Sequence, residues 1–196
     1  SQKATQVAHK SGQTDLQKAT EYWGKEYMQN PNDPKKAINY ARNLKALGQK
    51  GQALSVLQQA SAVNGQNREI ASEYGRLALD LGQVKLAQQL LSAADDPTKP
   101  DWRVVSARGT VLAKQEKYAD AIPYFERALN LAQDQPSVLN NLALAYVMSG
   151  NAGKAETMLR KASAQNGPFA EKVRQNLALT LSLQGKYDEA RRIGGE

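Results

Sequence analysis

The chain contains no cysteine. Disulfides, thiolate nucleophiles and cysteine–zinc sites are therefore excluded. The compartment stays open, because a cysteine-free chain suits cytosol and periplasm alike. There is one histidine, His9. It stands in residues 1–14, a polar stretch of Gln, Lys, Ser, Thr and Gly that reads as a flexible lead-in. A catalytic or metal-binding histidine needs partners fixed around it, and such a lead-in supplies none. No long apolar run of about 18 residues occurs, so no membrane span is expected. Ser1 to Thr14 carries no apolar segment of the kind a signal peptide has.

Charge of one sign is also never concentrated. The net charge is +7, with 12 basic and 9 acidic side chains in residues 1–98 and 14 and 10 in residues 99–196. Nucleic-acid binders gather basic groups on one face. The even spread reads instead as a solvated mixed surface with a basic excess, and no nucleic-acid partner is expected. An acidic partner or an anionic membrane surface is compatible with it. No G-x-x-x-x-G-K-[ST] phosphate loop is present. Asp95-Asp96 precedes Pro97 without a third ligand close in sequence, so it reads as a loop acid pair and not a metal site. The serines lack a nucleophile-elbow context. The chain reads as non-enzymatic, with no catalytic residue, cofactor or metal.

What the sequence does have is a period. Ala19, Ala53, Ala87, Ala121 and Ala155 stand thirty-four residues apart. A second series runs Ala60, Ala94, Ala128 and Ala162, and a small residue recurs at Ala41, Gly75, Gly109 and Ala143. Gly48, Gly82 and Gly150 mark a turn, with Glu116 as the odd member. Four residues after each leading alanine comes a large apolar residue: Trp23, Leu57, Leu91, Phe125 and Leu159. Small residues let two helix backbones approach, and the large residue one turn on fills the remaining gap. Each period thus predicts helix, tight turn, helix. Asn30-Pro31, Asp33-Pro34 and Gln135-Pro136 punctuate junctions. Trp23 and Trp102 read as packing groups.

This layout resembles the tetratricopeptide (TPR) repeat, which has thirty-four residues per unit and an Ala-x3-Phe signature in its second helix. The signature recurs from Ala19-x3-Trp23 to Ala155-x3-Leu159. Its clearest copy runs from Tyr118 to Leu129. The resemblance covers residues 15–196. It implies an all-α solenoid of antiparallel helix pairs in a right-handed superhelix. The expected division is a half unit at 15–33, full units at about 34–67, 68–101, 102–135 and 136–169, and a partial unit at 170–196. Gly185 and Ala190 lie thirty-five residues beyond Gly150 and Ala155, which places a one-residue insertion near Pro168. Incomplete units leave apolar faces that need a cap, and Tyr22, Trp23 and Tyr27 are candidates at the front.

In that family the first helix of each unit lines a concave groove that holds a protein segment. Transferred to this chain, the resemblance implies a groove lined by Arg42, Arg76, Asn140, Asn141, Leu144, Met148, Gln175, Asn176 and Leu179. The early members are charged. The late ones set amides beside aliphatics and a methionine, a mixture suited to a peptide's backbone and side chains. Leu144, Val147, Leu179 and Leu183 read equally well as packing between helices. Asn141 and Asn176 are the better site candidates, since a buried amide without partners is costly. Some TPR proteins clamp acidic chaperone tails. The matching positions here are Ile38, Arg42, Glu73, Arg103 and Ala107, most of which fail that pattern.

Pro100-Asp101-Trp102-Arg103, the stretch Pro136 to Ala143, the stretch Val173 to Leu179, Asn39-Tyr40-Ala41 and the ending Gln184 to Ala190 look like the TPR protein of the Tad (tight adherence, Flp) pilus machinery. That resemblance implies an outer-membrane lipoprotein facing the periplasm, with a pilotin-like role toward the secretin, its expected protein partner. The lipid-bearing cysteine of that family is absent from this chain, so membrane attachment is expected only through an anchor outside it. The alternatives are a generic cytosolic TPR adaptor and, less favoured, an RNA-binding helical-repeat protein.

Overall fold

Five turns of this chain end a helix in one way. The amide of the residue after the turn donates back to a carbonyl five residues earlier: Gln49 to Leu44, Gln83 to Ala78, Lys117 to Leu112, Asn151 to Tyr146 and Lys186 to Leu181, at 2.7–2.9 Å. These are Schellman closures, which need a left-handed residue just past the helix. Gly48, Gly82, Gly150 and Gly185 supply it with φ of 80–84°. Glu116 holds the third such place at φ 63°. The odd member of the glycine series therefore makes the same turn, held there by the helices on either side against the steric cost of its Cβ.

The computed structural model describes the backbone of residues 2–195 and the side chains of residues 15–195. The flexible lead-in expected over residues 1–14, with His9, lies outside the residues described side chain by side chain. Among the described residues there are eleven helices and no strand. They are α1 (Gln2–Gln29), α2 (Pro34–Ala46), α3 (Lys50–Val63), α4 (Arg68–Asp80), α5 (Val84–Ala94), α6 (Trp102–Lys114), α7 (Tyr118–Leu131), α8 (Pro136–Met148), α9 (Ala152–Ser163), α10 (Ala170–Leu183) and α11 (Tyr187–Gly194). The first helix of a pair often starts on a polar cap. Asp33 accepts from the Lys35 amide at 2.9 Å, Asn67 from Ile70 at 2.9 Å and Asp101 from Arg103 at 2.9 Å.

The chain divides into two compact units, residues 1–94 and 95–196. In the first, Ile38, Ala41, Leu44, Ala53, Leu57, Ala60, Ile70 and Leu77 form one buried cluster. In the second, two such clusters stand among the described residues. Val105, Ala121, Phe125 and Leu142 centre one of them, and Ala143, Ala155, Leu159, Val173, Leu177 and Leu181 centre the other. The small-over-large pairing is literal. A Cβ added at Gly75 would stand 2.9 Å from Leu91 Cγ, and one at Gly109 would stand 2.8 Å from Phe125 Cε1. Both large residues are fully buried.

The first helix departs from the period. Ala19 and Trp23, its expected small–large pair, are only half-buried, whereas Thr20, Gly24 and Tyr27 are buried. The packing register of α1 is thus one residue later. The cause is its neighbour. α1 lies on α2, and the residue facing Tyr40 must be small: a Cβ on Gly24 would come 3.1 Å from Tyr40 Cε1. Tyr27 stacks at 5.7 Å on Tyr40 and its hydroxyl donates to Gln59 at 2.8 Å. The Trp23 ring turns aside to meet Tyr22 edge-on at 5.0 Å.

Relieving the one non-glycine Schellman turn is expected to stabilise the chain. Glu116→Gly should raise stability by about 0.5–1 kcal/mol, the left-handed cost less the extra freedom glycine gains unfolded. The reciprocal change Gly150→Glu should lower it by a similar amount. Denaturant midpoints of the two variants check this, and the sign must be opposite.

Candidate interaction surface

The expected groove residues fall on the first helices of the pairs, and the two units use them differently. In residues 1–94 the charged members satisfy one another. Arg42 on α2 donates to Glu73 on α4 through Nε at 2.9 Å and its terminal nitrogen at 2.6 Å. Arg76, one turn along α4, donates to the same carboxylate at 3.1 Å and to the Ser72 hydroxyl at 3.3 Å. Glu69 lies 3.7 Å from Arg42, and Lys45 lies 3.7 Å from Asp80. Arg42 therefore ties α2 to α4, Arg76 holds the shared carboxylate from within α4, and the charge of both is largely spent there. Exposed pairs of this kind contribute little each, about 0.2–1 kcal/mol.

In residues 95–196 the first helices are α6, α8 and α10. Alternation of antiparallel helices makes α8 and α10 run in the same direction. Asn176 Nδ2 on α10 donates to Asn140 Oδ1 on α8 at 2.8 Å. Asn140 is 1 % exposed, so this bond satisfies a buried amide. The buried asparagine is thus Asn140, and its neighbour Asn141 is half-buried. From this bridge two stripes run at helical spacing, Leu144 and Met148 on α8 and Leu179 and Leu183 on α10. Leu144 is half-buried; Met148, Leu179 and Leu183 are 58 %, 51 % and 59 % exposed. Gln175 is exposed and donates to Glu171 at 3.1 Å. Val147, by contrast, packs against the core cluster. Three large apolar side chains left in solvent beside carboxamides are the less common arrangement on a folded surface.

Two polar clusters fix the frame around these stripes. Asp95, with a side chain 5 % exposed, is held by Arg108 at 2.6 Å and by Arg127 at 2.8 and 3.0 Å. Arg108 also stacks at 5.0 Å on Tyr124. Asp96 accepts from the amide and hydroxyl of Thr98, at 2.9 and 2.7 Å. The acid pair thus serves an arginine clamp and a turn, and no metal-holding group occurs among the described residues. On α9, Glu156 accepts from Lys186 at 2.8 Å, Arg160 at 3.0 Å and Gln184 at 2.9 Å. Arg160 reaches on to Glu189 of α11 at 2.5 Å. The Lys186 bond leads in holding the Glu156 carboxyl down to about 2, with Arg160 and Gln184 adding to it, while partial burial pushes the other way. Tyr146 is pushed up to about 12, by burial first and then by its hydroxyl's 2.7 Å bond to Glu126.

Both clusters were largely hidden from sequence reasoning: apart from Glu156–Arg160, four residues apart, their bonded partners stand 13 to 32 residues apart. The repeat period itself offered a signal, since Asp95–Arg127 and Glu156–Lys186 each span close to one unit.

Three family models, each a tetratricopeptide repeat, match residues 40–101, 104–166 and 173–196. The curated human protein O-mannosyl-transferase TMTC1 is 25 % identical over 153 residues, which is 74 % of this chain and 17 % of that protein. The chain thus spans about a sixth of the length of that relative. Among solved structures, PilF of Pseudomonas aeruginosa superposes with a TM-score of 0.77 at 20 % identity, covering 93 % of this chain and 83 % of that one. PilW, a widely conserved type IV pilus biogenesis factor, gives 0.77 at 21 %, covering 96 % and 89 %. At such identities the likeness is one of fold, a helical-repeat scaffold that is generally non-catalytic.

Two outcomes follow from these clusters. Asn176→Ala strands the buried Asn140 oxygen and should cost about 1–3 kcal/mol, while the double change Asn140→Leu, Asn176→Leu should recover much of it. Chemical denaturation of the three variants checks this. For Glu156 the folded carboxyl titrates below the unfolded one, so its contribution is complete above about pH 4.5 and disappears as pH falls toward 2. Glu156→Gln should cost about 1 kcal/mol at pH 7, discounted for half-exposed partners, and nothing near pH 2. Urea midpoints across that range test it.

Proposed function

Because the chain belongs to the tetratricopeptide repeat family, we propose that it is a non-catalytic scaffold that holds a protein segment along the α8–α10 stripes. The partner in this reading is the outer-membrane secretin of a Tad (Flp) type pilus, and the chain acts toward it as a pilotin. TPR domains bind protein partners, which is the general part of the reading. Its specific part has one carrying observation. Met148, Leu179 and Leu183 stand exposed on two parallel first helices beside the Asn141 and Gln175 amides. Such a surface offers apolar contacts to alternate side chains of a segment and carboxamides to its backbone. The unit of residues 1–94 offers less, because Arg42 and Arg76 are engaged with Glu73.

The pilus setting rests on the sequence stretches around Trp102, Asn140 and Asn176, and agrees with the description of PilW as a pilus biogenesis factor. It carries a location with it: the periplasmic face of the outer membrane, reached through a lipid anchor outside this chain. A generic cytoplasmic TPR adaptor is the reading that remains if the secretin does not bind.

Immobilised chain should capture the Tad secretin from detergent-solubilised outer membranes. Met148→Glu with Leu183→Glu, both at exposed positions, should leave the melting midpoint unchanged and reduce capture about tenfold or more. Capture by neither protein would remove the secretin. Equal capture by both would remove the stripes.

A further inference from the structure

The repeat puts two Asn-Gly pairs at the same loop position. Asn64-Gly65 and Asn166-Gly167 stand three periods of thirty-four residues apart, each between the second helix of one pair and the first helix of the next. In such a pair the glycine has no Cβ to shield its amide nitrogen, so that nitrogen can reach the carbon of the preceding carboxamide. By sequence alone the two pairs are equivalent.

The structure makes them different. Asn64 caps the end of α3, and its Nδ2 donates to the Ala60 carbonyl at 3.2 Å and to the Asn32 carbonyl at 3.2 Å. These bonds hold the carboxamide away from the Gly65 nitrogen. Three periods beyond Asn32 stands Asp134, and its carbonyl is already taken: Gln165 Nε2 donates to it at 2.7 Å. The cause is the inserted residue. Ala60 and Ala162, both buried, are in step, whereas the next buried residues, Ile70 and Val173, are three periods and one residue apart. The longer loop puts Gln165 on that carbonyl and leaves Asn166 beyond it. Asn166 is exposed, and its carboxamide makes no hydrogen bond among the described residues. Gly167 holds φ at 145°, in the range that favours glycine.

We propose that Asn166 is a site of spontaneous deamidation and that the fold protects Asn64 from the same reaction. The Gly167 amide nitrogen attacks Asn166 Cγ. A ring C–N bond forms, the Cγ–Nδ2 bond breaks, and the side-chain nitrogen leaves as ammonia with the proton that the amide gave up. Water then opens the succinimide at either carbonyl, which gives aspartate or isoaspartate at position 166. Both products add one negative charge to the loop ahead of α10. The isoaspartate also inserts a methylene into the backbone there. The reaction involves none of the α8–α10 stripe residues, so it does not depend on the partner proposed for them.

The whole 196-residue chain would be incubated in mildly alkaline buffer made with heavy-oxygen water, which marks each new carboxylate. Peptide mapping by mass spectrometry then follows both pairs over time. In the folded chain Asn166 should convert about tenfold or more faster than Asn64, the scale of the two hydrogen bonds that Asn64 must first break. It should give two products that separate by chromatography. In denaturant the two pairs should convert at similar rates. Asn166→Gln should remove the modification from that loop without moving the melting midpoint. Equal rates in the folded chain, conversion at neither pair, or a gap that survives in denaturant would overturn the proposal.

Discussion

Everything in this molecule depends on how closely the two helices of a pair approach. Gly75 under Leu91 and Gly109 under Phe125 leave no room for a single added carbon. The same register carries Ala41 with Leu57 and Ala143 with Leu159, all buried. Each large residue fills the space its small partner leaves, and burying one contributes about 1.5–3 kcal/mol. That contact fixes the distance between helices, so the turn joining them must be short. A short turn must close on a left-handed residue, which is why the glycine register follows the alanine register. The thirty-four-residue period is the sequence trace of this one contact, repeated.

Once the helix pairs are fixed, the exposed edges of the first helices are free to differ, and they do. In residues 1–94 they carry opposite charges that meet: Arg42, Glu73 and Arg76 form one network across α2 and α4. In residues 95–196 an amide pair, Asn176 to Asn140, joins the first helices α10 and α8. Beyond it the stripes stay apolar and in solvent. Leaving such side chains exposed gives up the stabilisation that burial would bring. A surface that keeps them so is better explained by a partner than by folding. Glu156 and its neighbours hold α11 and the end of α10 to α9, keeping the frame of that surface rigid.

The helix pairs were legible because spacing and residue type repeat together at Ala53/Leu57, Ala87/Leu91, Ala121/Phe125 and Ala155/Leu159. Legibility failed where a neighbour, not the period, decided the outcome. Ala19 and Trp23 fit the spacing, yet Tyr40 decides which face of α1 is buried, and it selects Gly24. Glu116 broke the glycine pattern in type while keeping its φ, because the flanking helices impose the turn. Of the adjacent amides, periodicity alone could not say which faces α10; the structure buries Asn140 and leaves Asn141 half-buried. Charge partners such as Arg42 and Glu73 sit 31 residues apart. A binding role and a bracing role for Arg42 therefore looked the same in the sequence.

The central claim is that a partner segment lies along the exposed stripes of α8 and α10. Site-specific photo-crosslinking tests it most directly. A benzophenone side chain placed at Met148 or Leu183, and separately at exposed Gln88 on α5, would be irradiated in the presence of outer membranes containing the secretin. The account predicts a secretin adduct from Met148 and from Leu183, and none from Gln88. Adducts from Gln88 alone, or equally from all three positions, would contradict it.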